Sequence, residues 1–110
     1  MKSPFNLYSD IPEHAQEELF ATLLDNPHCR IERIVSYGQA SQQCFWSNQA
    51  WDEWVLLLKG SAELDLDGNV VMLTPGDHLL IPTGLRHRVL KTNVEEPTIW
   101  LAVHLNPPRL

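Results

Sequence analysis

His87 is the residue of this sequence best placed to do chemistry. It lies in Leu85-Arg86-His87-Arg88-Val89, where apolar and basic residues alternate. Successive side chains of a strand point to opposite faces. Leu85, His87 and Val89 therefore share one face, Arg86 and Arg88 the other, and the arginines take the wet one. An inward imidazole can hold a metal or move a proton, and it can equally be a core residue with both nitrogens bonded. Arg33 poses a similar choice. It shares a face with Ile31 and Val35, opposite Glu32 and Ile34. It reads either as a solvated edge residue or as an inward cation awaiting an anionic ligand. His104 lies on a stretch apolar on both faces, so alternation does not orient it. His14, His28 and His78 sit at a helix start, after a proline and at a turn, and read as surface residues. Cys29 and Cys44 have no metal-type spacing. Cys44 is a possible soft ligand but shares a face with Trp46, as a core residue would.

The elements that must position these residues are short. Residues 76–89 read as strand, turn and strand. In the turn, Ile81-Pro82-Thr83-Gly84, Pro fixes φ and Gly accepts a bend that other residues resist. Further strands are expected over residues 30–36, 43–47, 53–59, 61–66, 70–73 and 99–105. Asp67-Gly68 is a hairpin signal and Thr74-Pro75-Gly76-Asp77 a second turn. Ahead of them, Asp10-Ile11-Pro12-Glu13 reads as the start of one short amphipathic helix. Asp10 would be its N-cap, and Ala15, Leu19, Leu23 with Phe20 and Leu24 its apolar stripe. Asp25-Asn26-Pro27 would stop it. Seven or eight strands with turns every eight to twelve residues predict an all-β sandwich or small barrel. Such a jelly roll keeps one end open, where small ligands sit.

Composition narrows the rest. A chain of 110 residues makes one domain with one sizeable core. We divide it into an N-terminal extension and helix over 1–28 and a barrel over 29–105. The formal net charge of -6 argues against nucleic acid and anionic membrane as partners. No N-terminal apolar run resembles a signal peptide and no stretch reaches the length of a membrane span. Free thiols and a cytoplasmic location are expected. Four tryptophans are many for this length. At least two should be core or dimer interface, while Trp46 or Trp51 would line the barrel mouth and shape a pocket for substrate.

Two segments carry a family resemblance. Gly76, five residues, Pro82, Thr83, Gly84, two residues and His87 follow the second motif of the cupin superfamily. The asparagine that should come next falls on Lys91, and Asn93 lies two residues late. Glu53, six residues and Gly60 follow the end of the first cupin motif, but its two histidine positions fall on Ser47 and Gln49, or on Trp46 and Asn48. The chain thus resembles small single-domain bacterial cupins over roughly residues 40–105. The resemblance implies a double-stranded β-helix, often a homodimer, often with one divalent metal held by three histidines and a glutamate.

Carried over by position, the metal set would be Gln49, Glu53, His87 and, if it faces inward, His104. Two strong ligands and an amide make a depleted site for Fe, Mn, Ni or Zn, and the metal can be absent altogether. Without metal, Glu53 and His87 would pair with each other and still work as an acid–base couple on a substrate. Cupins include isomerases, dioxygenases, decarboxylases, storage proteins and sensors, so membership does not fix activity. The expectation is a small-molecule-binding sensor or accessory module with a degenerate metal site. The alternative is a metal-dependent enzyme, isomerase or dioxygenase-like, with Glu53 and His87 catalytic and Arg33, Trp46 and Trp51 at the substrate.

Overall fold

The structure is a computed structural model describing residues 4–41 and 47–107. Cys44, Trp46 and most of the strand expected over 43–47 lie outside the described residues.

Eight strands are described: β1 (Leu19–Asp25), β2 (Cys29–Ser36), β3 (Asp52–Lys59), β4 (Ala62–Leu66), β5 (Asn69–Leu73), β6 (His78–Ile81), β7 (His87–Thr92) and β8 (Thr98–Leu105). They form two antiparallel sheets, a five-stranded one in the order β1-β2-β8-β3-β6 and a three-stranded one in the order β5-β4-β7. The jelly-roll expectation holds. Among the described residues no helix is long and apolar enough to cross a membrane.

The expected N-terminal helix does not form. Residues 19–25 are instead a strand, paired with β2 in a register running from Leu19 opposite Val35 to Asp25 opposite Arg30. A helix there would satisfy its own backbone but leave the N–H and C=O groups of β2 on an open edge, whereas pairing satisfies both segments. Asn26 then closes a hairpin rather than stopping a helix: its side-chain oxygen accepts the backbone N–H of His28 at 2.9 Å and of Cys29 at 3.0 Å. Asp10 has φ of 58° and caps nothing helical.

The two sheets are joined by their inner side chains. Leu57 and Trp100 from the large sheet pack with Ala62, Leu64 and Leu73 from the small one. Val55, Ile81 and Ala102 form a second buried group. Full burial of a residue such as Leu57 contributes roughly 1.5–3 kcal/mol. The Asp67-Gly68 turn has positive φ at both residues, 49° and 96°, as a two-residue hairpin with right-handed twist requires. Gly60 is needed for a different reason. Its φ is 89°, and a Cβ there would stand 2.4 Å from the Thr98 hydroxyl and 2.7 Å from the Thr98 Cα. The glycine of the first motif thus lets β3 leave the sheet against β8.

The N-terminal segment is tied to the large sheet by polar contacts. Arg33 donates through Nη1 to the carbonyls of Leu7 at 3.0 Å and Ser9 at 2.8 Å. The Tyr37 hydroxyl donates to the Pro12 carbonyl at 2.7 Å.

Candidate functional site

A cavity of about 290 Å³ lies between the sheets. The motif segments meet at it because their turns are stitched together. Gly84 N–H donates to the Gln49 carbonyl at 2.9 Å. Asp52 Oδ1 accepts both the backbone N–H of Thr83 at 2.8 Å and its hydroxyl at 2.9 Å. Ser47 and His87 exchange backbone bonds of 2.8 and 3.0 Å. These contacts bring Gln49 and Glu53 from one segment, and His87 from the other, to one cavity, with Glu53 on the large sheet and His87 on the small one.

Glu53 stands at the start of β3 with His104 opposite it on β8 and Ile81 opposite it on β6. His104 faces inward, which alternation left open, and it lines the cavity at 7% exposure. Gln49, Glu53, His87 and His104 all reach the same cavity.

Their hydrogen bonds show how each is held. Gln49 Nε2 donates to Glu53 Oε1 at 2.9 Å. His87 Nδ1 is 3.0 Å from the Leu85 carbonyl. A carbonyl only accepts, so in the neutral ring Nδ1 carries the hydrogen and Nε2 keeps a lone pair. Glu53 and His87 share the cavity, but each has its own partner and no ion pair joins them among the described residues.

His104 is engaged at both nitrogens. Trp51 Nε1 donates to its Nδ1 at 2.9 Å, and its Nε2 lies 2.7 Å from Glu32 Oε1. An indole N–H only donates, so His104 Nδ1 is an acceptor and Nε2 donates to the carboxylate. A second chain of the same form runs from Trp100 Nε1 to Ser36 Oγ at 3.1 Å, and from that hydroxyl to Glu18 Oε2 at 2.6 Å. Each chain begins at an indole N–H and ends on a carboxylate that borders the cavity.

Glu18, Glu32 and Trp100 are therefore site residues that the sequence reading did not single out. Glu32 had a signal: it sits opposite Arg33 in the alternation of β2, and an outward Arg33 implies an inward Glu32. Glu18 had none, because the segment that contains it read as helix. Arg33 is on the face of β2 away from the cavity. It is 6% exposed and bonded to the N-terminal segment, so it is neither solvated nor a cavity residue. Trp51 contributes through His104, with ring centroids 6.0 Å apart, and does not itself line the cavity. His14, His28 and His78 are exposed, and His78 lies against the Trp54 ring at 5.4 Å. Cys29 is a free, half-buried thiol.

The donor set can be tested against a metal. A site of this type needs several imidazole or carboxylate donors converging within bonding reach. His104 has both nitrogens occupied, and Gln49 turns a donor toward Glu53. Among the described residues no group of three His, Cys, Asp or Glu side chains is arranged to hold a metal ion. The arrangement does not fit one.

The charge of the site follows from the same contacts. Among the described residues three carboxylates, of Glu18, Glu32 and Glu53, border the cavity with one guanidinium, that of Arg88, and no lysine. Arg88 faces Asp65 at 3.6 Å, and Glu32 has Arg30 at 3.7 Å. Phe20, Ile34, Leu64, Val89 and Trp100 supply apolar wall.

Comparison with known proteins agrees with this architecture. The Cupin domain family model (Cupin_2) matches residues 34–104. A solved structure from Ralstonia eutropha JMP134, provisionally described as a mannose-6-phosphate isomerase, superposes with a TM-score of 0.91. It is 43% identical, over 96% of this chain and 99% of that one. A cupin superfamily protein from Desulfitobacterium hafniense DCB-2 gives a TM-score of 0.77 at 21% identity over 96% and 92% of the two chains, a likeness of fold. The 3-hydroxyanthranilate 3,4-dioxygenase of Rattus norvegicus is 29% identical over 85 residues. That match takes in 76% of this chain but 29% of the dioxygenase, so the chain spans under a third of that relative's length.

Proposed function

Because this chain belongs to the Cupin domain family, we propose that it is a small-molecule-binding cupin, a sensor or accessory module whose metal site has degenerated. One observation carries the reading: a cavity of about 290 Å³ with apolar walls, into which the two motif segments deliver a carboxylate and an imidazole whose Nε2 has no partner among the described residues. That is the low end of the size range for small-molecule pockets, and a few polar groups on an apolar wall is their usual composition. His87 Nε2 accepts a hydrogen bond or a proton from the ligand, and Glu53 accepts a second. Trp51 serves the ligand indirectly, by holding His104 and through it Glu32.

The competing reading is a metal-dependent enzyme, with one divalent Fe, Mn, Ni or Zn on Gln49, Glu53, His87 and His104. The names of two relatives favour it, one an isomerase of a sugar phosphate and the other a dioxygenase. The engagement of His104 at both nitrogens counts against it.

A homodimer in the cytoplasm completes the proposal. β1 is an outer strand, and Phe20, Leu23 and Leu24 on it are 62%, 39% and 46% exposed. An apolar edge of this kind is normally covered.

The test is a metabolite panel read by tryptophan fluorescence and melting temperature, with elemental analysis of protein purified without an affinity tag. The expected result is metal-poor protein that responds to one chemical class, with the response reduced in His87→Ala. No response to any compound would defeat the binding reading. Near-stoichiometric metal, lost in Glu53→Ala and His87→Ala with the fold intact, would install the enzyme reading in its place.

A further inference from the structure

The proposed binding role leaves the ligand's chemistry open, and the cavity's own charges narrow it. Glu18 and Glu53 have no cation within 4.0 Å among the described residues. Their polar partners are neutral donors, the Ser36 hydroxyl and the Gln49 amide. The guanidinium that borders the cavity already faces Asp65. A partly enclosed cavity with an excess of one charge attracts the opposite charge more strongly than open water allows, and it repels its own. Phosphate recognition needs arginine, lysine or a cluster of backbone N–H donors aimed at one point; among the described lining residues Arg88 is the one such cation, and Asp65 already engages it. The carboxylates are also dispersed around the cavity rather than gathered, so they do not cage a point cation. Between them stand Phe20, Ile34, Leu64, Val89 and Trp100, which an organic body can cover.

We propose that this cavity selects a small organic amine, a protonated nitrogen on an apolar body, and rejects phosphate esters. The inference rests on the cavity being a ligand site, as argued above, and adds the ligand's charge. The ammonium sits toward Glu53, and Glu18 adds to the negative field from the far end of the large sheet. The apolar body lies against Trp100 and the small-sheet residues Leu64 and Val89. His87 Nε2 takes a further N–H or O–H of the ligand.

Three probes of one shape test it: benzylamine, benzyl alcohol and benzyl phosphate, titrated at pH 7 against the full chain by tryptophan fluorescence and calorimetry. Benzylamine is expected to bind at least tenfold more tightly than the alcohol, and the phosphate without saturation. Raising the salt should shrink the amine's advantage and leave the alcohol unchanged. Glu53→Gln keeps the shape and the acceptor for Gln49 but removes the charge. It is expected to cost the amine about tenfold and the alcohol less than twofold. The salt dependence, read on the wild-type chain, keeps the test decisive should the variant unfold by circular dichroism. Equal binding of amine and alcohol by the wild-type chain, unaffected by salt, would overturn the charge selection while leaving the cavity a binding site. Tightest binding of the phosphate would overturn the proposal outright. Silence toward all three probes and toward the metabolite panel would remove both the selection and the site.

Discussion

Replacing Trp51 by Phe should cost the protein more than the loss of a partly exposed ring suggests. The substitution keeps an aromatic ring and deletes one N–H. That N–H is the donor to His104 Nδ1 at 2.9 Å, and His104 is 7% exposed. An acceptor left unpaired where water hardly reaches costs about 1–3 kcal/mol. For a chain of this size each kcal/mol lowers the melting temperature by roughly 4 °C, so a fall of about 4–12 °C is expected. Glu32→Gln is the companion change. The glutamine oxygen can still accept the His104 Nε2 hydrogen, and the loss is its charge assistance and the partly exposed pair with Arg30, about 1 kcal/mol together. The two bonds fix one imidazole in one tautomer, so the losses should not add. Once either partner is gone the ring can turn or move its proton, and the second change costs less, by about 0.5–1 kcal/mol. Urea unfolding of the four proteins measures this coupling, and nitrogen chemical shifts of the His104 ring report the tautomer directly. Additivity within about 0.3 kcal/mol, or a wild-type ring protonated on Nδ1, would refute the hydrogen-bond chain and with it the claim that His104 is closed to a metal.

Two other expectations follow from the N-terminal segment. Burial raises the Tyr37 pKa above its ordinary 10.0, and Arg33 nearby partly opposes this. A group with a raised folded pKa gives stability that is complete below the unfolded value and lost as pH climbs through the folded one. Stability should therefore fall as pH rises above 10.0, and Tyr37→Phe should flatten that fall; an equal slope in both proteins would contradict the assignment. Leu24→Lys places a charge on the exposed outer strand, so light scattering should show wild-type dimer and variant monomer. A wild-type monomer at high concentration would remove the dimer proposal.

Much of the fold was legible in the sequence because its signals are local. Alternation oriented Leu85, His87 and Val89 inward, since a strand offers a side chain only two faces, but Arg88, expected on the wet face, also borders the cavity and faces Asp65. Asp67-Gly68 and Gly84 marked turns because backbone conformation there depends on the residue itself. The N-terminal helix failed for the complementary reason. The apolar spacing of residues 15–24 suits a helix, but β2 offered an unpaired edge, a partner the segment alone does not reveal.

The sequence by itself determined that an acid and an imidazole arrive on two segments of one β container, through Glu53-x6-Gly60 and Gly76-x5-Pro82-x-Gly84-x2-His87. Gly60 is required there because only a residue without Cβ passes Thr98. Tertiary structure alone decided what those groups do on arrival. It set Trp51 and Glu32 on either side of His104, and gave Gln49 to Glu53 and Leu85 to His87. It also drew Glu18 to the cavity from a segment that read as something else. A hydrogen bond depends on angles and distances of tenths of an ångström between side chains up to 72 positions apart, and spacing along a chain carries no such information.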